Sequence, residues 1–165
     1  MRLFQGRVFG LARFYVRDRE DARDVAQEAF IRIYRNLDRL EVGTNFTAWA
    51  LRITRNCAID RLRRIEARPP TAAMPDDDIL AAAPGTAGAF DDPVGENRQL
   101  LDRALELLSA AHREMILLKD IQGLEQQEIA EMLSLPLGTV KVRASRARVE
   151  LARRILELDP SYGTS

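Results

Sequence analysis

The segment Leu124–Arg148 has the pattern of a short helix, a tight turn and a second helix. Three apolar residues in its first half, Ile129, Ala130 and Leu133, are spaced to share one face of an amphipathic helix. Pro136 cannot continue that helix, but it is tolerated at the start of the next one, where its missing N–H is not needed. The segment therefore predicts a helix-turn-helix, in which the second helix leaves the turn at a new angle.

The second helix of this pair is basic, since residues 137–156 hold six basic side chains against one acid, Glu150. A solvated face on a small bundle and a recognition helix in a DNA major groove both fit a basic helix. The preceding helix, the turn and the small residues Gly138 and Thr139 favour the DNA interpretation. The apolar stripe has a period of 3.6 and the cations point away from it: the stripe is Val140, Ala144, Ala147 and Leu151, and the cations are Lys141, Arg143, Arg146 and Arg148.

Charge is distributed unevenly along the 165 residues, although the net charge is zero. Residues 1–68 carry 15 basic and 9 acidic side chains, residues 69–98 carry 1 and 6, and residues 99–165 carry 9 and 10. The single cysteine, Cys57, allows no internal disulfide, as expected in a reducing compartment. No apolar run approaches membrane-spanning length, and residues 1–5 lack the apolar core of a signal peptide. We therefore expect a soluble, cytoplasmic protein with no membrane insertion.

The first block, residues 1–65, predicts three helices. Residues 3–16 place Val8, Leu11, Ala12 and Tyr15 on one face, and Asp18 is suited to cap the next helix. That second helix has the most regular apolar stripe: Ala22, Val25, Ala26, Ala29, Phe30, Ile33 and Leu37. Its other face is polar around one apolar residue: Asp24, Gln27, Glu28, Ile31, Arg32 and Arg35. Ile31 is either a chance exposure or the centre of a partner interface.

The third helix is predicted to begin after Asn45, a suitable N-cap, and to offer cations and an amide to a polyanion. The expected buried stripe is Trp49, Ala50, Ile53 and Cys57, and the expected polar face is Arg52, Arg55, Asn56 and Arg63. Core packing is the favoured role for Trp49. For Phe46, at the junction of loop and helix, packing and stacking on an unpaired base are both open.

Residues 66–98 interrupt this helical pattern. They contain five of the seven prolines, three glycines and the acids Asp76, Asp77 and Asp78, with little apolar periodicity. Such a composition does not bury enough surface to offset the entropy of ordering, so it predicts a flexible acidic linker. Helical periodicity resumes over residues 99–158, which predict four helices around one core. The fold class is therefore all-α, with two small helical domains joined by the linker.

Catalytic patterns are missing from the sequence. Cys57 and the single histidine, His112, lie in different blocks, and there is no nucleophile triad, phosphate-binding glycine loop or metal-ligand spacing. We expect no enzymatic activity, no cofactor and no metal site. His112 is predicted to help begin a helix.

Two segments of the first block and the helix-turn-helix together resemble a known family. Asp24 to Arg32 and Phe46 to Arg64, with Trp49, Arg52, Asn56 and Asp60 at the family's spacing, are similar to conserved region two of the extracytoplasmic-function (ECF) sigma factors of bacterial RNA polymerase. Leu124–Arg148 is similar to region four of the same family. Both motifs occur in the family's order, with its linker between them.

The resemblance implies a promoter-specificity subunit. In the family, the face matching Asp24, Gln27, Glu28 and Ile31 docks on the clamp helices of core RNA polymerase. The segment from Asn45 through Arg64 would read the minus-ten element and help to open it, holding an unstacked base of the non-template strand. The residues implied for this role are Asn45, Phe46, Arg52, Arg55, Asn56, Asp60, Arg63 and Arg64, with Arg61 as a further phosphate contact.

The resemblance also implies a duplex contact with the minus-thirty-five element and an anti-sigma factor as a second protein partner. The implied duplex contacts are Gly138, Thr139, Lys141, Val142, Arg143, Arg146 and Arg148. Four positions depart from the family: Leu51 stands where many members carry an aromatic residue, Glu125 replaces the usual Ser or Thr cap, Ser134 stands where Gly is common, and Val142 replaces a polar residue. The rival interpretation is a helix-turn-helix regulator that binds duplex DNA without polymerase, which leaves the first block unexplained.

Overall fold

A computed structural model describes residues 2–16, 18–67 and 95–163. Every regular element within these residues is a helix, which confirms the all-α prediction. The chain divides into two compact units, Met1–Asp91 and Asp92–Ser165. Most of the linker predicted over residues 66–98 lies outside the described residues. One helix ends at Glu66 and the next begins at Glu96, so the last three residues of that predicted segment are helical.

Three α-helices make up most of the described part of the first unit: α1 (Arg2–Tyr15), α2 (Arg19–Arg35) and α3 (Phe46–Glu66), with a 3₁₀ helix at Leu37–Arg39 after α2. Each of the three α-helices packs against the other two. Both predicted N-caps are confirmed. An Asp18 carboxylate oxygen accepts a hydrogen bond from the Asp21 N–H at 3.0 Å, and the Asn45 Oδ1 accepts one from the Thr47 N–H at 3.0 Å. These bonds satisfy N–H groups of the first turn that have no intrahelical partner.

The stripes of α1 and α2 are buried much as their periodicity predicts. Val8, Leu11, Ala12 and Tyr15 are fully buried, and so is most of the stripe on α2 from Ala22 to Ile33. The exception at its end is Leu37, which is exposed because α2 stops at Arg35 and the chain tightens into the 3₁₀ helix.

The predicted stripe of α3 is partly wrong. Ala50 and Cys57 are buried, but Trp49 and Ile53 are only half-buried. The other buried side chains are Leu51, Thr54, Arg55, Ala58, Ile59 and Leu62. Because α3 packs against both α1 and α2, it buries a broad surface that a single stripe does not describe.

Four α-helices make up most of the described part of the second unit: α4 (Glu96–Glu106), α5 (Ala110–Ile116), α6 (Gln126–Leu133) and α7 (Leu137–Leu158), with a π-helical turn at Leu117–Ile121 after α5. α7 packs against α4, α5 and α6. Its stripe is buried at Val140, Ala144 and Ala147, as predicted. On α6, Ile129 and Ala130 are buried, but Met132 takes the buried place expected for Leu133.

The turn between α6 and α7 confirms the helix-turn-helix. Ser134 closes α6 with φ 54° and ψ 44°, the left-handed conformation that favours glycine. Glu125 precedes α6, where its N–H donates to the Glu128 carboxylate at 2.9 Å. This bond is half of a capping box, and it compensates in part for the absent Ser or Thr.

Candidate nucleic-acid interface

The outer face of α2 carries the four side chains predicted to bind a protein partner, Asp24, Gln27, Glu28 and Ile31, and all four are exposed. Ile31 is 42% exposed, and it is the one large apolar side chain among these four. The structure therefore presents the predicted set as one surface.

Arginines connect the acids of this outer face to α3. Arg32 Nε donates to Glu28 Oε1 at 2.8 Å, and its Nη1 lies 3.5 Å from Asp60 Oδ2. Arg61 Nε donates to Asp21 Oδ1 at 3.1 Å. The hydrogen bond to Asp21 raises the pKa of Arg61, with smaller contributions from the charges of Asp21 and Asp24. Asp60 and Arg61 therefore face α2.

A groove of about 280 Å³ opens between the end of α2, the 3₁₀ helix and the first turns of α3. One indole, one aliphatic side chain, two side-chain amides and two guanidinium groups line it: Trp49, Ile53, Asn36, Asn56, Arg32 and Arg39. An aromatic side chain beside amides and cations can hold a planar group with polar edges and neutralise a nearby anion. Asn56 is the one residue of this groove that is also among the predicted minus-ten contacts.

Phe46 begins α3 at the edge of an aromatic cluster. Its ring centroid is 5.2 Å from that of Phe4 and 5.9 Å from that of Trp49, and Phe4 lies 6.3 Å from Phe30. Phe46 is still 38% exposed. It therefore packs with one part of its ring and leaves another part available for stacking, consistent with both roles considered for it.

The exposed surface of α3 includes most of the other predicted contacts: Arg52, Asn56, Arg63 and Arg64. Arg55 is different. It is only 9% exposed, and its guanidinium lies 5.8 Å from the centre of the buried Tyr15 ring. The prediction that Arg55 shares the outer polar face is wrong, because the broad packing surface of α3 includes position 55.

In the second unit, an open cleft of about 380 Å³ lies beside the first turns of α7. Five predicted contacts line it, together with a residue from α5: Gly138, Thr139, Val142, Arg143, Arg146 and His112. Residues at spacings of three and four share a helix face, which explains why these recognition-helix residues meet. The cleft combines small, cationic and apolar groups within the first three turns.

His112 was not predicted at this site. Its Nδ1 lies 2.7 Å from Glu150 Oε2, which fixes the imidazole between α5 and α7. This hydrogen bond is the main cause that lowers the pKa of Glu150, and the charges of His112, Arg154 and Arg153 act in the same direction. No local pattern could have found the contact, because 38 residues separate the two partners.

The remaining two predicted cations lie away from this cleft. Lys141 is exposed but does not line it. Arg148 Nε donates to the Asp120 carboxylate at 3.0 and 3.2 Å, so its charge is compensated on the opposite flank of α7. Of the four predicted cations, Arg143 and Arg146 are therefore the ones that share the cleft with Gly138 and Thr139.

Each of the two units matches a known protein family. Residues 1–68 match the model of Sigma-70 region 2, and residues 98–151 match that of Sigma-70, region 4. ECF RNA polymerase sigma factor SigW of Bacillus subtilis (strain 168) is 31% identical over 170 residues, spanning 94% of this chain and 87% of that protein. The chain belongs to the ECF sigma factors. It is therefore an RNA polymerase sigma factor, which directs core polymerase to promoters in transcription initiation.

Other ECF sigma factors show the same relationship. The ECF RNA polymerase sigma-E factor of Escherichia coli (strain K12) is 34% identical over 163 residues, covering 94% of this chain and 84% of the relative. The sigma factor RpoE of Bartonella quintana, solved in complex with the anti-sigma factor NepR, matches with a TM-score of 0.64 and 27% identity over 95% of this chain and 94% of its own. The match to region 2 disfavours the rival regulator, which needs only the helix-turn-helix.

Within residues 2–16, 18–67 and 95–163, no helix is both long and apolar enough to cross a membrane. The same residues contain no group of three or more His, Cys, Asp or Glu side chains arranged to hold a metal ion.

Proposed function

We propose that the two regions of this ECF sigma factor divide promoter recognition between them. Region two, residues 1–65, binds core polymerase and holds melted minus-ten DNA, and region four, residues 99–158, binds the minus-thirty-five duplex. Residues 66–98 tether the two. The observation that carries this proposal is the groove between α2 and α3, where Trp49 and Asn56 meet Arg32 and Arg39.

The groove suits one unstacked base of the non-template strand. Stacking on an aromatic ring stabilises a base by about 1–3 kcal/mol, and Trp49 is half-buried, with an indole surface open to the groove. The Asn56 amide offers a donor and an acceptor to a base edge. Arg52, Arg63 and Arg64 lie exposed along the same helix, where they would neutralise the phosphates on either side.

The outer face of α2 is the proposed contact with core polymerase. Ile31 supplies an apolar centre, and Asp24, Gln27 and Glu28 form a polar rim around it. Protein interfaces commonly have this arrangement of an apolar centre within a polar rim. Arg32 lines the groove and also pairs with Glu28 and Asp60, so the proposed polymerase face and the groove adjoin each other.

The proposal is tested by separating polymerase binding from promoter opening. Ile31→Ser should weaken binding to core polymerase at least tenfold, as expected when an interface anchor is lost. Ile65→Ser is the matched control, because Ile65 has a similar exposure of 46% on α3, and it should bind core normally. Asn56→Ala should keep core affinity but lower open-complex formation about two- to twelvefold, the effect of one hydrogen bond.

Core affinity is measured by fluorescence anisotropy, and opening is measured by permanganate reactivity of unpaired thymines at a cognate promoter. The proposal fails if Ile31→Ser binds core as tightly as Ile65→Ser does. The assignment of Asn56 fails if Asn56→Ala opens every minus-ten sequence as well as the unmodified protein, or if it unfolds region two.

An anti-sigma factor is the second proposed protein partner, by analogy with the complex formed by the B. quintana relative. Such a partner would be identified by its ability to displace core polymerase from the purified chain and to stop promoter-dependent synthesis. We further infer that the protein acts in the cytoplasm, where core polymerase and promoters are found, and that the chemistry of synthesis belongs to the polymerase.

A further inference from the structure

Val142 differs chemically from the other side chains of the region-four cleft. It lies on the second turn of α7, it lines the cleft together with the cations Arg143 and Arg146, and it is 50% exposed. A valine offers no hydrogen bond to a phosphate or to a polar base edge. Because it lies in the first turns of the recognition helix, which approach base edges, its exposed surface is suited to an apolar group on a base.

The turn before Val142 leaves its methyl groups uncovered. Side chains of an α-helix lean toward its N-terminus, so Val142 projects over the turn that contains Gly138. Gly138 is exposed, and a Cβ atom built at this position would meet no atom within 4 Å. The apolar surface of Val142 is thus open in the direction from which a base pair would approach the first turns of the helix.

In the major groove, thymine is the base that presents a methyl group, whereas the other groups on the base edges are hydrogen-bond donors or acceptors. We propose that Val142 is a specificity residue that selects a thymine in the minus-thirty-five element by contact with its C5 methyl group. A cytosine at that position would present only a C5 hydrogen in place of the methyl group, so the apolar contact with the valine would be lost. This inference rests on the proposed duplex contact of region four and adds one base preference to it.

Holoenzyme made from core polymerase and the full chain is used to enrich a duplex from a randomised pool. Each thymine of the enriched minus-thirty-five element is then replaced by uracil, which differs only by the missing methyl group. One replacement should weaken binding about fourfold, the effect of losing one buried methyl contact. The Val142→Ser holoenzyme should bind the thymine and uracil duplexes equally well at that position.

Val149→Ser is the matched control. Val149 is an exposed valine on the same face of α7, about 10 Å further along the helix than Val142, beyond the first turns. This variant should keep the fourfold preference for thymine. The inference is overturned if uracil is tolerated at every thymine, or if Val142→Ser keeps the preference. Failure to enrich any duplex would overturn the proposed function as well, so the two failures are distinguishable.

Discussion

Neighbouring residues on α3 have opposite roles, as Arg55 and Asn56 illustrate. Arg55 lies in the interior over Tyr15, and Asn56 lines the groove. Arg55→Ala removes a buried cation–aromatic contact and the packing of a long side chain, so it should lower the free energy of unfolding of region two by about 1–3 kcal/mol. The denaturant midpoint seen by tryptophan fluorescence measures this, because the only tryptophan is Trp49. An unchanged midpoint would contradict a structural role for Arg55.

The Glu150 carboxylate makes stability depend on pH. Its pKa in the folded protein is lowered from 4.5, first by the hydrogen bond with His112. The stability that the ionised Glu150 contributes is therefore present above the pKa that Glu150 has in the unfolded chain. It is lost as the pH falls through the lower pKa that Glu150 has in the folded protein. Glu150→Gln should reduce the free energy of unfolding of region four at pH 7 by up to about 1 kcal/mol, and the difference should vanish at a pH below the folded pKa of Glu150.

Hydrogen exchange of α7 amides at both pH values measures this effect. Glu157→Gln is the control, since Glu157 pairs with Arg153 and Arg154 but has no histidine partner. It should cost less than Glu150→Gln at pH 7. A cost for Glu150→Gln that persists at low pH would contradict the account.

At the scale of elements, the turn of the helix-turn-helix stores strain at Ser134. In the described residues it is the one non-glycine residue with positive φ. Ser134→Gly relieves a left-handed conformation that costs about 1–2 kcal/mol, offset in part by the greater freedom of glycine in the unfolded chain. The net result should be a gain of up to about 1 kcal/mol, seen as slower hydrogen exchange in α6 and α7.

The same substitution at Ser109 should have the opposite sign. Ser109 caps α5 by accepting a hydrogen bond from the His112 N–H at 3.2 Å, and its φ of −59° needs no glycine. Ser109→Gly should therefore speed exchange in α5. Equal effects of the two substitutions would show that the backbone conformation of Ser134 carries no strain.

The sequence predicts local features of these elements better than contacts between them. Caps such as Asp18 and Asn45 and the stripe of α1 follow from short spacings, and all are confirmed. The orientation of Arg55 and the place of His112 depend on packing between helices, which periodicity within one helix does not contain. The sequence does not predict the groove between α2 and α3 for the same reason, because Arg32, Asn36 and Arg39 come close to α3 only in the folded protein.

At the scale of the whole molecule, one chain carries two candidate nucleic-acid surfaces of different kinds. The first unit has an aromatic and amide-lined groove suited to an unpaired base, and the second has a basic cleft on a recognition helix suited to duplex DNA. Neither surface contains a catalytic constellation in the described residues. As an RNA polymerase sigma factor, the chain acts with a core polymerase that carries out the synthesis.

The most direct test is run-off transcription from a cognate promoter with purified core polymerase. A transcript with one defined start should form only when the full chain is added, and it should be lost when Ile31→Ser replaces the unmodified chain. If the chain binds the promoter duplex but leaves core polymerase unable to initiate at a defined start, the central claim is contradicted.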